Sequence, residues 1–402
     1  MVMSNFLYMI FGGYVLYGLS GSLMNSVWPE AAKDIGVQVA LIGVVTTLCN
    51  IASGVAGAFT YKIRRQLGTN RTISIGLLFM AISLIMFYFA QNMIVIGIAF
   101  IILGIGNAIV DVGSNSYIVK AYDARSVSML HACWGIGSAV GPVIMAFVIA
   151  KFTNYRIGFI VGAVLNIIII IILRFMKRKW EANKKDLSEE LLDLHTVSEA
   201  EKTSKSKFTD VVKIHLALPM MICFFFANGL NGLYNSWMST IFVTQRNISV
   251  IEGANIATIF FLSLTITRIV LGFIASKFKT KNIVIAGVII SILGTLFMFV
   301  QSKNLLFIYA NAILLGIGIS PIMPFLNHYI KELFGKDSVG EILSFCAVFN
   351  LTGAGISSFV GTLFVRAFGM EKIQIYIMVL AVILLLIYSY ITINVKKARE
   401  TN

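Results

Sequence analysis

Charged residues are scarce in this sequence, and so are the residues that disulfide frameworks and metal sites need. Only 12% of its 402 residues are charged, and it contains 4 cysteines, 4 histidines and 5 prolines. Cys49, Cys133, Cys223 and Cys346 fall in apolar runs without metal-ligand spacing, so we interpret them as small core residues. No Gly-Lys-Ser/Thr phosphate loop is present, which argues against ATP as the direct energy source.

An enzymatic function also lacks support in the sequence. A membrane enzyme needs a convergent nucleophile and base, or a metal constellation. Two of the histidines, His195 and His215, lie in or beside a polar segment, and no such constellation is visible. We therefore expect a protein that is not an enzyme and that holds neither a cofactor nor a metal.

Long apolar runs are what the sequence has in quantity. The mean hydropathy is +0.88, and the runs repeatedly reach the length of about 20 residues that crosses a bilayer. We predict about twelve membrane spans, near 6–28, 39–61, 72–90, 94–118, 128–150, 155–175, 214–243, 252–276, 282–300, 304–330, 340–364 and 371–394. The first run is too long for a signal-peptide core, so we predict a retained helix. The fold class is therefore an all-α polytopic membrane protein in a lipid bilayer.

The apolar pattern stops once, between residues 177 and 213, where a mixture of Ser, Glu and Lys cannot bury enough apolar surface to fold alone. Six predicted spans precede this segment and six follow it. The second span of each half ends alike, in Gly57-Ala-Phe-Thr-Tyr-Lys62 and Gly272-Phe-Ile-Ala-Ser-Lys277. We predict two pseudo-symmetric six-helix bundles, 1–176 and 214–402, joined by a cytoplasmic linker, 177–213. Such repeats are typical of secondary transporters.

The basic residues follow the predicted spans. The net charge of +14 is compatible with nucleic-acid binding, but with the N-terminus inside, 24 basic residues fall in cytoplasmic segments and 7 in external loops. This is the positive-inside distribution of a membrane protein. We therefore predict cytoplasmic termini and no nucleic-acid partner. The abundance of Ile, Lys and Asn fits a bacterial plasma (inner) membrane.

One acidic residue stands apart from the other seventeen. Asp111 alone lies deep inside an unbroken apolar run, where an ionised group costs about 2.5 to 3.5 kcal/mol. Asn107 and Asn115 lie four residues to either side, on the same helix face. Because burial favours the protonated form of a carboxyl group, we predict that Asp111 carries the coupling proton. The alternative is a structural bond to Ser114 or to a neighbouring helix.

His131 is the second predicted proton-coupling residue. It lies near the cytoplasmic start of the fifth span, which returns antiparallel to the fourth span. A histidine there could approach Asp111 and form a proton relay. The alternative is a residue at a helix end that bonds a loop carbonyl.

Several motifs carry a family resemblance. They are Arg64-Arg65-Gln66-Leu67-Gly68-Thr69, Gly104-Ile-Gly106 followed by Asp111 and Asn115, the stretch from Leu130 to Pro142, and the stretch from Gly316 to Pro324. With these motifs the chain resembles the major facilitator superfamily and, more narrowly, its fucose permease-like and sodium-dependent-glucose-transporter-like sugar carriers. The resemblance implies that spans one, two, four, five, seven, eight, ten and eleven line a cavity, with the other four outside.

The chain also departs from this family's pattern. Tyr61 stands where the superfamily's second-span motif has an acid, and Ser276 stands at the corresponding point of the second half. Asn231 stands where the seventh span of these sugar carriers often has a glutamate. If the relatives couple through that glutamate, this protein must rely on Asp111 or be coupled differently.

Asparagines mark the predicted substrate site. An asparagine is costly in hydrocarbon unless it finds a partner or a wet cavity, and nearly all those in the spans fall on the implied lining helices, with Asn166 the exception. Amides suit hydroxyl-rich neutral substrates, and Trp237 or Trp134 could stack on a sugar ring. The predicted substrate-binding residues are Asn25, Asn107, Asn115, Asn228, Asn231, Asn235, Trp237, Asn311 and Asn350. The alternative is that the asparagines pair helix to helix, at about 0.6 kcal/mol each.

Arg268 is left out of this set. It lies about eight residues from the cytoplasmic end of the eighth span, so its side chain could reach the membrane surface. The family often has an arginine there, which the resemblance implies is a structural anchor.

These observations favour a secondary active transporter that moves a small neutral polar solute, most simply a sugar, by proton-coupled symport with alternating access. One proton moving down 100 mV supplies about 2.3 kcal/mol, enough for roughly fifty-fold accumulation of a neutral solute. Na⁺ is the alternative coupling ion, and we expect a monomer. The alternative functions are a drug or metabolite proton antiporter, a lipid or glycolipid flippase, and a nutrient sensor that does not transport.

Overall fold

The structure, a computed structural model, describes residues 5–121, 124–175, 208–334 and 336–400. All regular structure in these residues is helical, and twelve helical segments are long and apolar enough to cross a membrane. The predicted all-α fold with twelve spans is therefore confirmed. Most of the predicted linker, from 177 to 207, lies outside the described residues.

Each span is one helix or one broken helix, and we number the helices by span. They are α1 Asn5–Asp34, α2 Ile42–Leu67, α3 Thr69–Phe89, α4 Met93–Ala121, α5 Ala124–Phe152, α6 Arg156–Phe175, α7 Ala217–Arg246, α8 Val250–Ile274, α9 Thr280–Phe297, α10 Leu305–Ile319 with Ile322–Leu333, α11 Lys336–Phe368 and α12 Ile373–Glu400. We call the side of the molecule where α6 ends and α7 begins the linker side, and the opposite side the far side.

The first span is longer than predicted. It was expected to end near residue 28, before the charged residues Glu30, Lys33 and Asp34, but α1 continues to Asp34 and includes Pro29. These charged residues were interpreted as a loop because they lie beyond the hydrocarbon core of the membrane. The helix continues because Asp34 has a partner there, as described below.

The two halves have the same internal packing. In the first half α1 packs on α5, α2 on α4, and α3 on both α4 and α6. In the second half α7 packs on α11, α8 on α10, and α9 on both α10 and α12. Each helix therefore has its counterpart six helices later, as a duplicated bundle requires.

Lipid-facing positions are apolar and exposed. On α6, Val164, Ile167 and Ile171 are all exposed large hydrophobic residues, and their i, i+3, i+7 spacing puts them on one helix face. In a membrane this stripe contacts lipid rather than water. The position of α6 on the outside of the bundle agrees with what the resemblance implies.

The halves meet through α5 with α8, α2 with α11, and α1 with α7. Hydrogen bonds across this boundary lie toward the far side. Ser239 on α7 donates to the Ser26 carbonyl on α1 at 2.7 Å, and Thr362 on α11 donates to the Ala40 carbonyl just before α2 at 2.7 Å. The structure is therefore joined across its two halves on the far side.

Glycines allow two of these helix crossings. A Cβ atom at Gly43 would lie 2.1 Å from the Ser358 carbonyl oxygen and 2.2 Å from the Thr362 hydroxyl. A Cβ atom at Gly135 would lie 2.1 Å from the Thr265 hydroxyl. Real Cβ atoms do not approach neighbours this closely, so both crossings between the halves require glycine.

An arginine joins three helix ends on the far side of the first half. Arg156, the first residue of α6, forms an ion pair with Asp34 at 2.6 Å and donates to the Tyr88 carbonyl near the end of α3 at 3.0 Å. Tyr155 donates its hydroxyl to the same carboxylate at 2.8 Å. Burial and the neighbouring Asp34 carboxylate raise the pKa of the Tyr155 hydroxyl, so it remains a donor. We call this group the Arg156 clamp.

A different arginine does the same work in the second half. Arg246 is the last residue of α7 and is 2% exposed. It donates to the Met298 carbonyl at 2.6 Å and the Val300 carbonyl at 2.8 Å, just past the end of α9, and it bonds the Gln301 side chain. We call this group the Arg246 clamp. It ties the end of α7 to the end of α9.

Candidate functional site

Asp111 is the centre of a hydrogen-bonded triangle. Tyr14 on α1 donates its hydroxyl to Asp111 Oδ1. Asn115, one turn further along α4, donates its amide to the same oxygen at 2.7 Å and to the Tyr14 hydroxyl at 2.8 Å. Both bonds thus fall on Oδ1, and no described residue donates to Oδ2. The carboxyl group has one committed oxygen and one that remains available for a proton.

Tyr14 is a member of the site that sequence reasoning missed. Its ring is 1% exposed in the first-half core, and only its hydroxyl meets polar partners. A buried tyrosine hydroxyl usually needs a partner, so a tyrosine within the first span was a usable signal. What the sequence did not show was which of the tyrosines in α1 meets α4.

His131 lies beside this triangle but does not join it directly. Its ring stands edge-on to Tyr14, with centroids 5.9 Å apart, and no hydrogen bond joins it to Asp111 among the described residues. It is close enough to interact electrostatically with both Asp111 and Arg268. The residue is exposed although it lies within a span. Its helix, α5, packs on α1 and on α8 of the other half, and we call the region between the halves at this level the central space.

A line of aromatic rings connects the triangle to the second half. Tyr14 contacts Tyr17 at 5.3 Å between centroids, and Tyr17 contacts Trp134 at 6.5 Å. Trp134 in turn contacts Phe261 on α8 at 6.1 Å. Trp134, weighed in the sequence as a sugar-stacking residue, therefore stands at the boundary of the two halves.

Arg268 lies at the end of this line. Its guanidinium carbon is 5.8 Å from the centre of the Trp134 ring, and its Nε donates to the Ser320 carbonyl in the break of α10 at a long 3.4 Å. The side chain is thus directed toward the first half, not toward the membrane surface as the sequence suggested. Its position in the span was known, but the direction of its side chain depends on packing that the sequence does not show.

The second half contributes a row of amides on α7. Asn228 donates to the Asn350 carbonyl on α11 at 2.7 Å, and Asn231 donates to the Asn228 side-chain oxygen at 3.3 Å. Asn228, Asn231 and Asn235 are partly exposed, while Leu230 between them is fully buried. Because α7 packs against α1 of the other half, this less buried face borders the central space rather than lipid.

Many of the predicted asparagines keep an unused acceptor. A buried polar atom without a hydrogen bond costs about 1 to 3 kcal/mol, so such atoms usually mark a place where a ligand or water binds. Six predicted site residues have a buried side-chain oxygen without a partner among the described residues, namely Asn25, Asn107, Asn231, Asn235, Asn311 and Asn350.

Two predicted residues do not reach the central space. Trp237 is 0% exposed, and a Cβ atom at Gly361 would lie 3.6 Å from its ring, so it packs between α7 and α11. Asn311 is 1% exposed and donates to the Gly294 carbonyl at 3.1 Å, which ties α10 to α9. Both side chains pack between helices, and Trp237 Nε1 and Asn311 Oδ1 have no hydrogen-bond partner among the described residues. Their place in the substrate site stays a prediction.

No group of three His, Cys, Asp or Glu side chains able to hold a metal ion occurs in the part of the chain that the structure describes. The chemistry of the site is that of one carboxyl group, one imidazole, one guanidinium, hydroxyls and amides. It can exchange a proton and bind hydroxyl groups.

Comparison with known proteins identifies the family. The family model described as Major Facilitator Superfamily matches residues 10–256 and 220–402, and the chain belongs to this superfamily of membrane transporters. The narrower resemblance to fucose permease-like carriers remains a prediction.

Solved structures share the fold. A D-xylose-proton symporter superposes with a TM-score of 0.75 at 14% identity, over 95% of this chain and 96% of the other chain. The nucleoside transporter NupG superposes with a TM-score of 0.75 at 14% identity, over 96% and 99%. At such identities the likeness shows the fold alone.

Two relatives match over shorter segments. The multi-drug resistance efflux pump PmrA homolog of Lactococcus lactis subsp. lactis (strain IL1403) is 27% identical over 151 residues, 37% of each chain. The proton-coupled antiporter flippase LtaA of Staphylococcus haemolyticus (strain JCSC1435) is 25% identical over 123 residues, 31% of each chain. The matched segments thus span about a third of these curated relatives.

Proposed function

We propose that this protein is a secondary active transporter that couples proton movement to symport of a small hydroxyl-rich solute, most simply a sugar. The observation that carries the proposal is the arrangement around the central space. A carboxyl group with one free oxygen lies in the first half, and amides with unused oxygens lie in both halves. The predicted plasma-membrane location and monomeric state belong to this proposal.

Asp111 suits a proton carrier for electrostatic reasons. An ionised carboxylate inside a span costs about 2.5 to 3.5 kcal/mol on insertion scales, and donors from Tyr14 and Asn115 offset part of that cost. Its other oxygen, Oδ2, has no donor among the described residues and is where a proton would bind. Na⁺ is a weaker candidate, because this triangle offers few oxygens to coordinate it.

The amide row suits hydroxyl groups for reasons of hydrogen bonding. The free oxygens of Asn231, Asn235 and Asn350 accept hydrogen bonds, and a sugar hydroxyl donates one. Binding a polyhydroxylated solute removes the cost of the unmade bonds. Trp134, partly exposed at the boundary of the halves, supplies an apolar ring surface there.

Export of a drug or metabolite, or flipping of a lipid, is the second candidate function. The two partial matches to a multidrug efflux pump and a proton-coupled antiporter flippase favour it. In that case Asp111 would serve antiport, with the proton and the substrate exchanging at the site.

Uptake into proteoliposomes tests the proposal. The assay would measure a panel of labelled hexoses, deoxyhexoses, sugar acids and sugar phosphates with and without an imposed inward proton gradient. We expect gradient-driven accumulation of at least one of these solutes. In Asp111→Asn we expect accumulation to be lost while exchange of the sugar across the membrane persists, because the amide cannot load and release a proton.

Asp210→Asn is the matched control, because Asp210 is an exposed acid whose nearest basic partner is 4.0 Å away. It should retain wild-type accumulation. Full proton-driven accumulation in Asp111→Asn would contradict the coupling role. Proton release upon addition of a drug or lipid substrate, with no sugar uptake, would favour the export function.

A further inference from the structure

Arg268 is the one basic side chain of the described spans that faces the central space, and its charge is not neutralised there. No residue among those the structure describes forms an ion pair with it, and its only hydrogen bond is the long contact from Nε to Ser320. A guanidinium has five N–H donors. Four of them therefore have no partner in the described protein.

The contacts that Arg268 does make are too weak to offset the cost of placing its charge inside a span. A cation–π contact such as that with Trp134 contributes about 0.5 to 1 kcal/mol, or about 2 kcal/mol when desolvated. A charge inside a span costs about 2.5 to 3.5 kcal/mol. The contact with Trp134 also joins the two halves, so a transporter that separates them would lose it. A purely structural anchor is therefore poorly explained.

We propose that Arg268 binds an anionic group, a phosphate or a carboxylate, on the transported solute. The planar fork of a guanidinium matches either group with two parallel hydrogen bonds. The amide row then binds the hydroxyls of the same molecule. The solute is thus a sugar acid, a sugar phosphate or a phosphorylated headgroup instead of the neutral sugar that the sequence suggested. This inference rests on the proposed function for the identity of the transport site.

The neighbours of Arg268 explain how a proton and an anion can bind together. The titratable groups that face this part of the site are Asp111, His131, Tyr14 and Tyr17. An ionised Asp111 repels an anion held at Arg268, and protonation removes that repulsion. Binding of the proton then favours binding of the anion. By thermodynamic linkage, binding of the anion favours binding of the proton to the same extent.

A thermal-shift titration tests the inference on the full chain in nanodiscs of neutral lipid. The probes are glucose, glucuronate and glucose 6-phosphate, which share a ring and differ in charge. In the wild type we expect at least one of the two anions to stabilise the protein at about tenfold lower concentration than glucose. In Arg268→Gln we expect this preference to disappear.

Arg366→Gln is the matched control, because Arg366 is exposed at the far side, near the end of α11. It should keep the wild-type preference. Arg268→Lys keeps the charge without the planar fork, so it should retain the preference at lower affinity, and it serves if Arg268→Gln does not fold. Nanodiscs containing phosphatidylglycerol form a second arm. A stabilisation seen only there, and lost in Arg268→Gln, identifies a lipid headgroup as the source of the anion.

Three results would overturn the inference: equal midpoints for glucose and both anions, an anion preference that survives in Arg268→Gln, or no response to any probe or anionic lipid. Failure of the proposed function has a different signature. If neutral glucose is taken up in response to the proton gradient and Arg268→Gln does not change this uptake, the anion inference is wrong and the proposed proton coupling stands. If anion binding depends on Arg268 but not on pH, the anion inference stands and the proposed proton coupling is wrong.

Discussion

The two halves share a skeleton and differ in chemistry. Helix for helix they pack in the same pattern. In the first half the central side chains are titratable, with Asp111 bonded to Tyr14 and with His131 beside them. In the second half they are amides together with Arg268, and the first half adds the amides of Asn25 and Asn107 to its titratable groups. The two halves therefore share a packing pattern, while the carboxyl group and the imidazole described at the site belong to the first half and the guanidinium belongs to the second.

The clamps repeat this lesson away from the site. Asp34 and Arg246 are the last residues of α1 and α7, two helices of 30 residues at corresponding places in the halves. The position is an acid in one half and a base in the other. In each half, however, an arginine binds main-chain carbonyls at the end of the third helix. Both clamps join helix ends on the far side, but they do so with different side chains at different positions.

The largest effect is expected where the halves touch. In Gly43→Ala the new methyl group overlaps the Ser358 carbonyl and the Thr362 hydroxyl. We expect the far-side contact to be disfavoured by about 3 kcal/mol, which is a roughly hundredfold shift. Solute uptake should fall accordingly. Labelling of a cysteine introduced at Ala40, which is 3% exposed, by an impermeant thiol reagent should rise, in a background without the four native cysteines.

Gly54→Ala on the same helix is the control, because a Cβ atom there meets nothing within 4 Å. It should transport and label like the wild type. Equal labelling of the two variants would show that the far-side contact does not depend on Gly43.

A middle-sized effect should separate the two clamps. Arg246→Gln removes a nearly inaccessible guanidinium and leaves the Met298 and Val300 carbonyls without their donor. We expect a loss of about 2 kcal/mol in stability. Arg156→Gln removes a more exposed pair, with its side chain 21% and that of Asp34 44% exposed, and should cost about 1 kcal/mol. Thermal unfolding in detergent would measure both, and a larger loss in Arg156→Gln would reverse the comparison.

The smallest effect should distinguish Asn231, an amide of the candidate site, from Asn311, an amide that joins two helices. Asn231→Ala removes a free acceptor, so we expect the KM for the transported solute to rise about tenfold with little change in thermal stability. Asn311→Ala breaks the bond to the Gly294 carbonyl, so it should lower stability by about 1 to 2 kcal/mol and leave KM unchanged. If the two variants affect KM equally, the division between site and frame is wrong at these positions.

The fold and part of the site could be predicted from the sequence for local reasons. Apolar run length gave the twelve spans, and four-residue spacing put Asp111 and Asn115 on one face, where the structure joins them. Spacing also put Asn107 on that face and Asn228, Asn231 and Asn235 on one face of α7, whereas Asn25, Asn311 and Asn350 were chosen by helix alone. At about 100° per residue, Trp237 lies about 200° around α7 from Asn235, so it does not share the face of these asparagines. Tyr14 and Arg268 depend on which faces of distant helices meet, which spacing along one helix does not contain.

The hydrogen bonds of Asp111 have a consequence for any rocking of the two halves. Tyr14 and Asn115 belong to the same half as Asp111, so rigid-body rotation carries all three together and leaves their bonds intact. Arg268 belongs to the other half and changes its distance. Such a rotation would therefore reach the carboxyl group through the approach or withdrawal of the other half's charge, and not through a rearrangement of its own hydrogen bonds.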